Sequence, residues 1–336
     1  MDLRLSNELL IKLSKKYLGL SPVEISDQPI FTRLLSKDRH ISYGDTWTYV
    51  TQGAYGLGEN KLGYKYYDGE NIVLLGFYPR VEDPAVQMLY FVRPVGKKIL
   101  RVVSDIADLV KREFKINTYI KKINSDQFAF FKKLGWESTL KYPWHSLAHS
   151  EDDTYPEQVI EISNTFDKLL KMSRRSNMKH NFIKSRKIVR ENDIVFVDDN
   201  FEDIAWKVVS KFFDEEAKKY SKVILSHKYD YYNMIYQNPV REGLVRKLVV
   251  VNKIPLGFFV YEKTNDNLYT NLYALIILRS KLKYLSDYVF QEIMKTCDTR
   301  YLNTGGSEDE GIHFYKKKYL PVTENVMRWA TNFHMN

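Results

Sequence analysis

One segment of this chain occurs twice. Tyr119-Ile-Lys-Lys-Ile-Asn leads to Phe130-Phe131-Lys132-Lys133-Leu134-Gly135-Trp136, and Tyr301-Leu-Asn-Thr-Gly-Gly leads to Phe314-Tyr315-Lys316-Lys317-Lys318-Tyr319. Upstream, Gly76-Phe77-Tyr78 and Gly257-Phe258-Phe259 precede the two Phe-aromatic-Lys-Lys stretches at nearly equal spacing. Two copies of one layout imply two copies of one fold, and this constrains architecture before any residue has a chemical role. A chain of 336 residues is long for one hydrophobic core and suits two. Lys141 to Pro156, with two prolines and the acidic Ser150-Glu-Asp-Asp, reads as the connection. Residues 1–150 then make an N-terminal domain with a short leading helix, and residues 151–336 a C-terminal domain with a basic helix at 166–191.

Hydrophobic periodicity fills in the elements. Asn7–Leu18 has apolar positions at 9, 10, 11, 13 and 18, a short amphipathic helix. Thr46–Thr51, Lys65–Tyr67, Asn71–Tyr78 and Gln87–Val92 read as strands, with a turn at Asp68-Gly69. Leu100, Val103, Ile106, Ala107 and Val110 recur at helical spacing, Thr118–Ile120 returns to strand, and Ser125–Lys133 makes a helix stopped near Gly135. The second half gives strand Gln158–Ile162, the basic helix, strand Ile194–Val197, helix Asp203–Tyr220 and helix or loop over 228–238. A hairpin over Leu244–Tyr261 turns at Asn252-Lys253, followed by strand Asn267–Ile277, helix Leu282–Thr296, strand Tyr301–Asn303 and helix Asp309–Tyr319. Both halves end as hairpin strands, helix, strand, helix. The class is α/β (α+β), each half a mixed, mostly antiparallel sheet flanked by helices.

Composition narrows the function. No apolar run approaches the roughly 20 residues needed to cross a bilayer, so no spanning helix is expected. The charged Met1-Asp-Leu-Arg-Leu-Ser-Asn-Glu start has no secretory pattern, which gives a cytoplasmic reading. Cys297 stands alone, which excludes an internal disulfide and a cysteine-built zinc site. The seven His are dispersed, so no metal is expected, and there is no Gly-x-Ser-x-Gly element. The net charge of +9 invites a polyanion, although a chain encoded by an AT-rich genome reaches the same excess through lysine alone. Position is more telling: from Lys168 to Arg190 there are nine Lys or Arg and no carboxylate. Arg174, Arg175, Lys179, Lys184, Lys187 and Arg190 cannot share one face at 3.6 residues per turn, so charge wraps most of the helix. Such a helix is either simply solvated or contacts phosphate, from tRNA, CoA or another nucleic acid. No aromatic pattern of an RNA-reading domain accompanies it.

Antiparallel strands, a crossover helix, a strand and a helix carrying aromatic-Tyr-x-Lys resemble the GCN5-related N-acetyltransferase (GNAT) fold, here in tandem. The tandem arrangement, the basic Arg174-Arg175-Ser-Asn-Met-Lys179-His180-Asn181-Phe-Ile-Lys184-Ser-Arg186-Lys187 helix and the late Gly305-Gly306-Ser307 followed by Phe314–Pro321 are similar to the FemXAB and DUF2156 group. That resemblance covers most of residues 45–325 and implies an aminoacyl- or acyltransferase acting on an amine acceptor, with aminoacyl-tRNA or acyl-CoA as donor.

The same resemblance suggests site residues. Acyl-CoA users open the crossover helix with Arg/Gln-x-x-Gly-x-Gly/Ala, whose backbone N–H groups cradle the pyrophosphate. The first half keeps Arg93 and Gly96 but has Lys98 for the second small residue. The second half has Arg279-Ser-Lys-Leu-Lys-Tyr with neither glycine, which favours an aminoacyl-tRNA donor or a degenerate site. Gly305, Gly306 and Ser307 complete the expected donor-binding set. Tyr315 stands where a phenol protonates the leaving group, and Phe131 holds the corresponding place in the first half. Lys316 is the rival candidate, as a cation near the acyl donor. Glu308, Asp309 and Asp287 are candidate bases, although carboxylates at helix starts are more often caps, with His313 a helper. The competing reading is a non-catalytic nucleic-acid-binding protein on a degenerate form of this fold; a third makes a nucleic-acid base the acceptor.

Overall fold

The computed structural model describes residues 4–35, 42–53, 63–79, 86–141, 155–171, 177–198, 202–217, 243–264, 268–278, 282–307 and 310–334. The chain forms two units. The first takes Met1–Glu157, Gly306–Glu310 and Asn325–Asn336, and the second takes Gln158–Gly305 and Gly311–Glu324. A single cut near residue 150 therefore does not separate them, because the last residues return to the first unit.

The first unit begins with α1 (Arg4–Lys16), β1 (Leu20–Pro22), α2 (Gln28–Leu35) and α3 (Trp47–Gly53). It continues through β2 (Tyr64–Tyr67), β3 (Ile72–Pro79), β4 (Gln87–Val95), α4 (Ile99–Phe114), β5 (Thr118–Ile123), α5 (Ser125–Lys133) and β6 (Glu137–Ser138). Its sheet has the order β1-β2-β3-β4-β5-β14-β6, with β14 (Arg328–Thr331) supplied by the chain's end. Helix α4 buries Ile99, Val103, Ile106, Ala107 and Val110 against the strands, the stripe its 3.6-residue period dictates. Asn124 and Gln127 cap α5 reciprocally, and Gly135 past its end takes a positive φ of 84°.

The strand expected over Thr46–Thr51 is instead helix α3. Ser42 and Asp45 close a reciprocal cap just before it, with Gly44 N–H donating to Ser42 Oγ (3.0 Å) and Ser42 N–H to Asp45 Oδ2 (2.7 Å). Trp47 and Val50 then bury at helical spacing with Phe31, Leu74 and Val92. Tertiary burial overrides the strand preference of Thr, Trp, Tyr and Val.

The second unit carries β7 (Glu157–Glu161), α6 (Ile162–Lys171), α7 (Asn177–Glu191), β8 (Ile194–Asp198), α8 (Glu202–Glu216), β9 (Leu244–Val251) and β10 (Ile254–Lys263). It ends with β11 (Tyr269–Ile277), α9 (Leu285–Thr296), β12 (Tyr301–Asn303), α10 (Glu310–Lys317) and β13 (Thr323–Asn325). The sheet order is β13-β7-β12-β11-β10-β9-β8. Asn252 and Lys253 both have positive φ and make the tight β9–β10 turn. The expected single basic helix is two, α6 and α7. Residues 172–176, with Arg174 and Arg175, lie outside the described residues, as does the expected 228–238 element.

The internal repeat is visible as topology. In each sheet an antiparallel pair (β3–β4, β10–β11) is followed by a parallel neighbour reached over a crossover helix (β4–β5 over α4, β11–β12 over α9). An antiparallel strand from elsewhere in the chain then closes the far side, β14 beside β5 and β7 beside β12. Among the described residues no helix is long and apolar enough to cross a membrane.

Cys297 packs into the second unit's core with Val289, Ile293 and Met294, and burial pushes its thiol up to about 11. A thiol that is neutral at pH 8 is a poor nucleophile. Iodoacetamide at pH 8 is therefore expected to label Cys297 only after denaturation, as mass spectrometry of native and urea-treated samples would show.

Candidate functional site

Helix α10 brings the two leading catalytic candidates into different surroundings. The Tyr315 ring is half-buried, and its hydroxyl lies 3.3 Å from that of Tyr319. Tyr319 in turn donates to Asp287 Oδ1 (2.7 Å) in the first turn of α9 and stacks on Phe290 with ring centroids 4.0 Å apart. Lys318 pairs with the same carboxylate, and its ammonium sits 3.7 Å from the Tyr315 ring centroid. Burial, then the Asp287 charge, holds the Tyr315 hydroxyl well above its ordinary value. Tyr319 is raised too, by burial and then by Tyr315 and Asp287. Both phenols are thus neutral donors at physiological pH. Asp287, read from sequence as a base or a cap, accepts from Tyr319 and Lys318.

Lys316 points the other way along α10. Its ammonium donates to the Gly305 carbonyl (3.2 Å), where the chain leaves β12. Gly305 has φ 71° and donates its N–H to Asn303 Oδ1 (2.9 Å), so glycine serves a sharp turn at this point. Gly306 and Ser307 belong to the first unit, where Ser307 N–H donates to the Tyr155 carbonyl (3.3 Å). His313 is buried in α10. Glu308 and Asp309 lie outside the described residues.

The half-matching loop of the first unit is tied up internally. Gly96 has φ 123°, and an added Cβ would come within 2.8 Å of the Asn71 backbone. The Lys98 N–H at the start of α4 donates to Asn71 Oδ1 (2.9 Å), so this amide already has an acceptor from the β2–β3 turn. Asn71 is fixed by Asp68, which accepts from its N–H and its Nδ2. Arg93 is fully buried, its Nε 2.5 Å from Asp45 Oδ1. Arg93 and Lys98 thus face different partners. Arg279 lies outside the described residues.

On α7, Lys184, Arg186, Lys187 and Arg190 are exposed and Lys179 is half-buried. The helix is not solvated on every side. Phe182, Ser185 and Ile188 form a narrow buried face, and Gln291 of α9 donates to Ser185 Oγ (2.7 Å). A residue every third position was enough to dock a helix whose exposed positions include Lys184, Arg186, Lys187 and Arg190.

Apart from Arg93, which the loop motif named, the members of two buried polar groups had no motif to announce them. In the first unit, β4 and β5 pair in parallel as far as Val92 and Lys121, and the next residues, Arg93 and Lys122, both take positive φ. Arg93 meets Asp45, while Lys122 donates to Glu157 (2.8 Å), which also accepts from Ser42 Oγ (2.9 Å). In the second unit, Glu262, Asn271, Tyr273 and Asn303 are buried on neighbouring strands. Their only sequence signal is a polar residue at a buried position of an otherwise apolar strand.

No family model and no curated protein matches this chain by sequence. Solved structures do match it. A conserved protein of unknown function from Bacteroides thetaiotaomicron superposes with a TM-score of 0.61 at 12% identity, over 94% of this chain and 99% of that one. FemX gives 0.58 at 12% identity, over 93% and 97%. The C-terminal DUF2156 domain of a candidate lysylphosphatidylglycerol synthetase from Agrobacterium fabrum gives 0.54 at 10% identity, over 91% and 93%. The resemblance read from the repeat thus holds for the fold: the chain shares the fold of FemX and of the DUF2156 domain over nearly its whole length.

Proposed function

We propose that this protein transfers an aminoacyl group from a carrier to an amine acceptor, with its chemistry on α10 of the second unit. The observation that carries this reading is the hydroxyl chain Tyr315–Tyr319–Asp287 on an aromatic-Tyr-x-Lys helix, in a fold shared with FemX. In the reaction the amine attacks the donor carbonyl, the C–N bond forms and the bond to the carrier breaks. The departing oxygen takes a proton from Tyr315, and the amine's proton leaves to a base or to water. Lys316, whose ammonium lies beside the Gly305 carbonyl, is the rival candidate, as a cation near the acyl donor.

The occupied Lys98 amide and buried Arg93 speak against a CoA pyrophosphate on α4. The exposed cations of α7 and, with them, Arg174 and Arg175 are the proposed contact for tRNA phosphate.

Purified protein given charged tRNA or acetyl-CoA, with amine acceptors, tests the reading. Tyr315→Phe is expected to lower kcat by roughly a hundredfold or more, and Lys316→Ala by a similar factor, with little change in KM. No transfer from either donor, with tRNA binding that is lost on charge reversal at Arg174, Arg175, Lys184 and Lys187, would instead favour the nucleic-acid-binding reading.

A further inference from the structure

On the side of the second sheet facing α9, Val249, Phe259, Tyr261, Leu272 and Leu302 join one apolar core. Glu262, Asn271, Tyr273 and Asn303 alternate with those residues and so lie on the opposite face. Strands β11 and β12 pair in parallel for three residues, ending with Asn271 opposite Asn303. There β12 stops while β11 runs on to Ile277, so the strands part beside Asn271.

Asn271 is fully buried, and neither its Oδ1 nor its Nδ2 has a hydrogen-bond partner among the described residues. A carboxamide offers two donor and two acceptor sites, and leaving all of them unmet in the interior is costly. Buried polar groups in this condition call for a ligand or ordered solvent. Glu262 stands opposite Asn271 in register on β10, is 3% exposed, and accepts from the Tyr273 hydroxyl (3.1 Å).

We infer that Asn271 and Glu262 form a binding site for an α-aminoacyl group, an ammonium next to a carbonyl. The ammonium donates to Asn271 Oδ1 and is balanced by the Glu262 carboxylate, which Tyr273 orients. The carbonyl oxygen accepts from Asn271 Nδ2. A simple acyl thioester has no ammonium to donate to Asn271 Oδ1. This assignment rests on the aminoacyl reading above, but it does not require Tyr315 to be the proton donor.

Calorimetric titration of the whole chain with alaninamide, serinamide and lysinamide, their N-acetylated forms, and acetyl-CoA tests it. At least one free amide is expected to bind, and its N-acetyl form about tenfold or more weaker. Asn271→Ala and Glu262→Gln should each weaken amide binding by about tenfold or more. The melting temperature of Asn271→Ala should stay level or rise, since an unmet buried group is removed. Binding of no amide, indifference to both substitutions, Asn271-dependent binding of acetyl-CoA, or a marked fall in the Asn271→Ala melting temperature would each overturn the assignment. Transfer from acetyl-CoA without amide binding would sink this site and leave acyl transfer standing. Asn271-dependent amide binding without transfer from any donor would do the reverse.

Discussion

Replacing Glu157 by alanine is expected to destabilise the first unit by about 3–5 kcal/mol, read from the midpoint of urea unfolding. Glu157 is fully buried and accepts from Lys122 Nζ (2.8 Å) and Ser42 Oγ (2.9 Å), with Lys122 only 1% exposed. The alanine variant leaves an ammonium in the interior, 5.0 Å from the Tyr49 ring centroid, where a carboxylate had balanced it. Desolvation is costly for each ion and the opposite charge offsets much of it, so losing one partner costs more than losing the pair. The double replacement Lys122→Met with Glu157→Gln should therefore recover most of the loss. A single-variant cost below about 1 kcal/mol, or a double variant as unstable as the sum, would contradict this.

The neighbouring pair shows the same balance. Burial outweighs Arg93 and holds the Asp45 carboxyl above the ordinary carboxylate range. The native state keeps that proton to higher pH than the unfolded chain. Stability from this group therefore declines as pH rises from the ordinary carboxylate value to the raised one.

The fold was legible where local pattern and tertiary burial agree. Val103, Ile106, Ala107 and Val110 mark α4 by their spacing because that spacing is the contact made with the sheet. The limits of α5 could be read because Asn124, Gln127 and Gly135 determine them locally. Helix α3 was not legible, since its β-branched and aromatic residues favour a strand until Phe31, Leu74 and Val92 surround them. The candidate site divides in the same way. Tyr315 and Lys316 stand in a repeated motif and could be named. Asp287, Lys318 and Tyr319 meet through a tertiary contact between α9 and α10, and no spacing in the chain encodes it. Asn271 and Glu262 become neighbours only through the β10–β11 register, which a bulge at Val260/Tyr261 shifts by a residue that sequence cannot place.

Removing residues 326–336 is expected to unfold the first unit, although they lie far along the chain from the rest of it. The segment supplies β14, an interior strand whose Arg328 and Ala330 pair with Ile123 and Ile120 of β5 while Ala330 and Thr331 pair with Ser138 and Glu137 of β6. Without it β5 loses a full antiparallel neighbour and β6 loses its connection to the sheet. Trp329 is 1% exposed, with the Lys121 ammonium 4.7 Å from its ring centroid, and Met327 and Ala330 are fully buried. Asn332 Oδ1 accepts from Thr118 N–H (2.7 Å), and Thr331 Oγ1 donates to the Thr118 carbonyl (2.9 Å), anchoring the start of β5. Emptying the Trp329 site alone costs about 3–5 kcal/mol. Together with the lost ladder bonds this is comparable to the roughly 5–15 kcal/mol that holds a typical domain folded. Trp329→Ala should lower the first unit's urea midpoint markedly. The truncated chain should lose that unit's cooperative transition while the second unit, whose sheet ends at β13, retains its own. A truncated protein that still melts with the full-length transition would show that β5 and β6 do not depend on this strand.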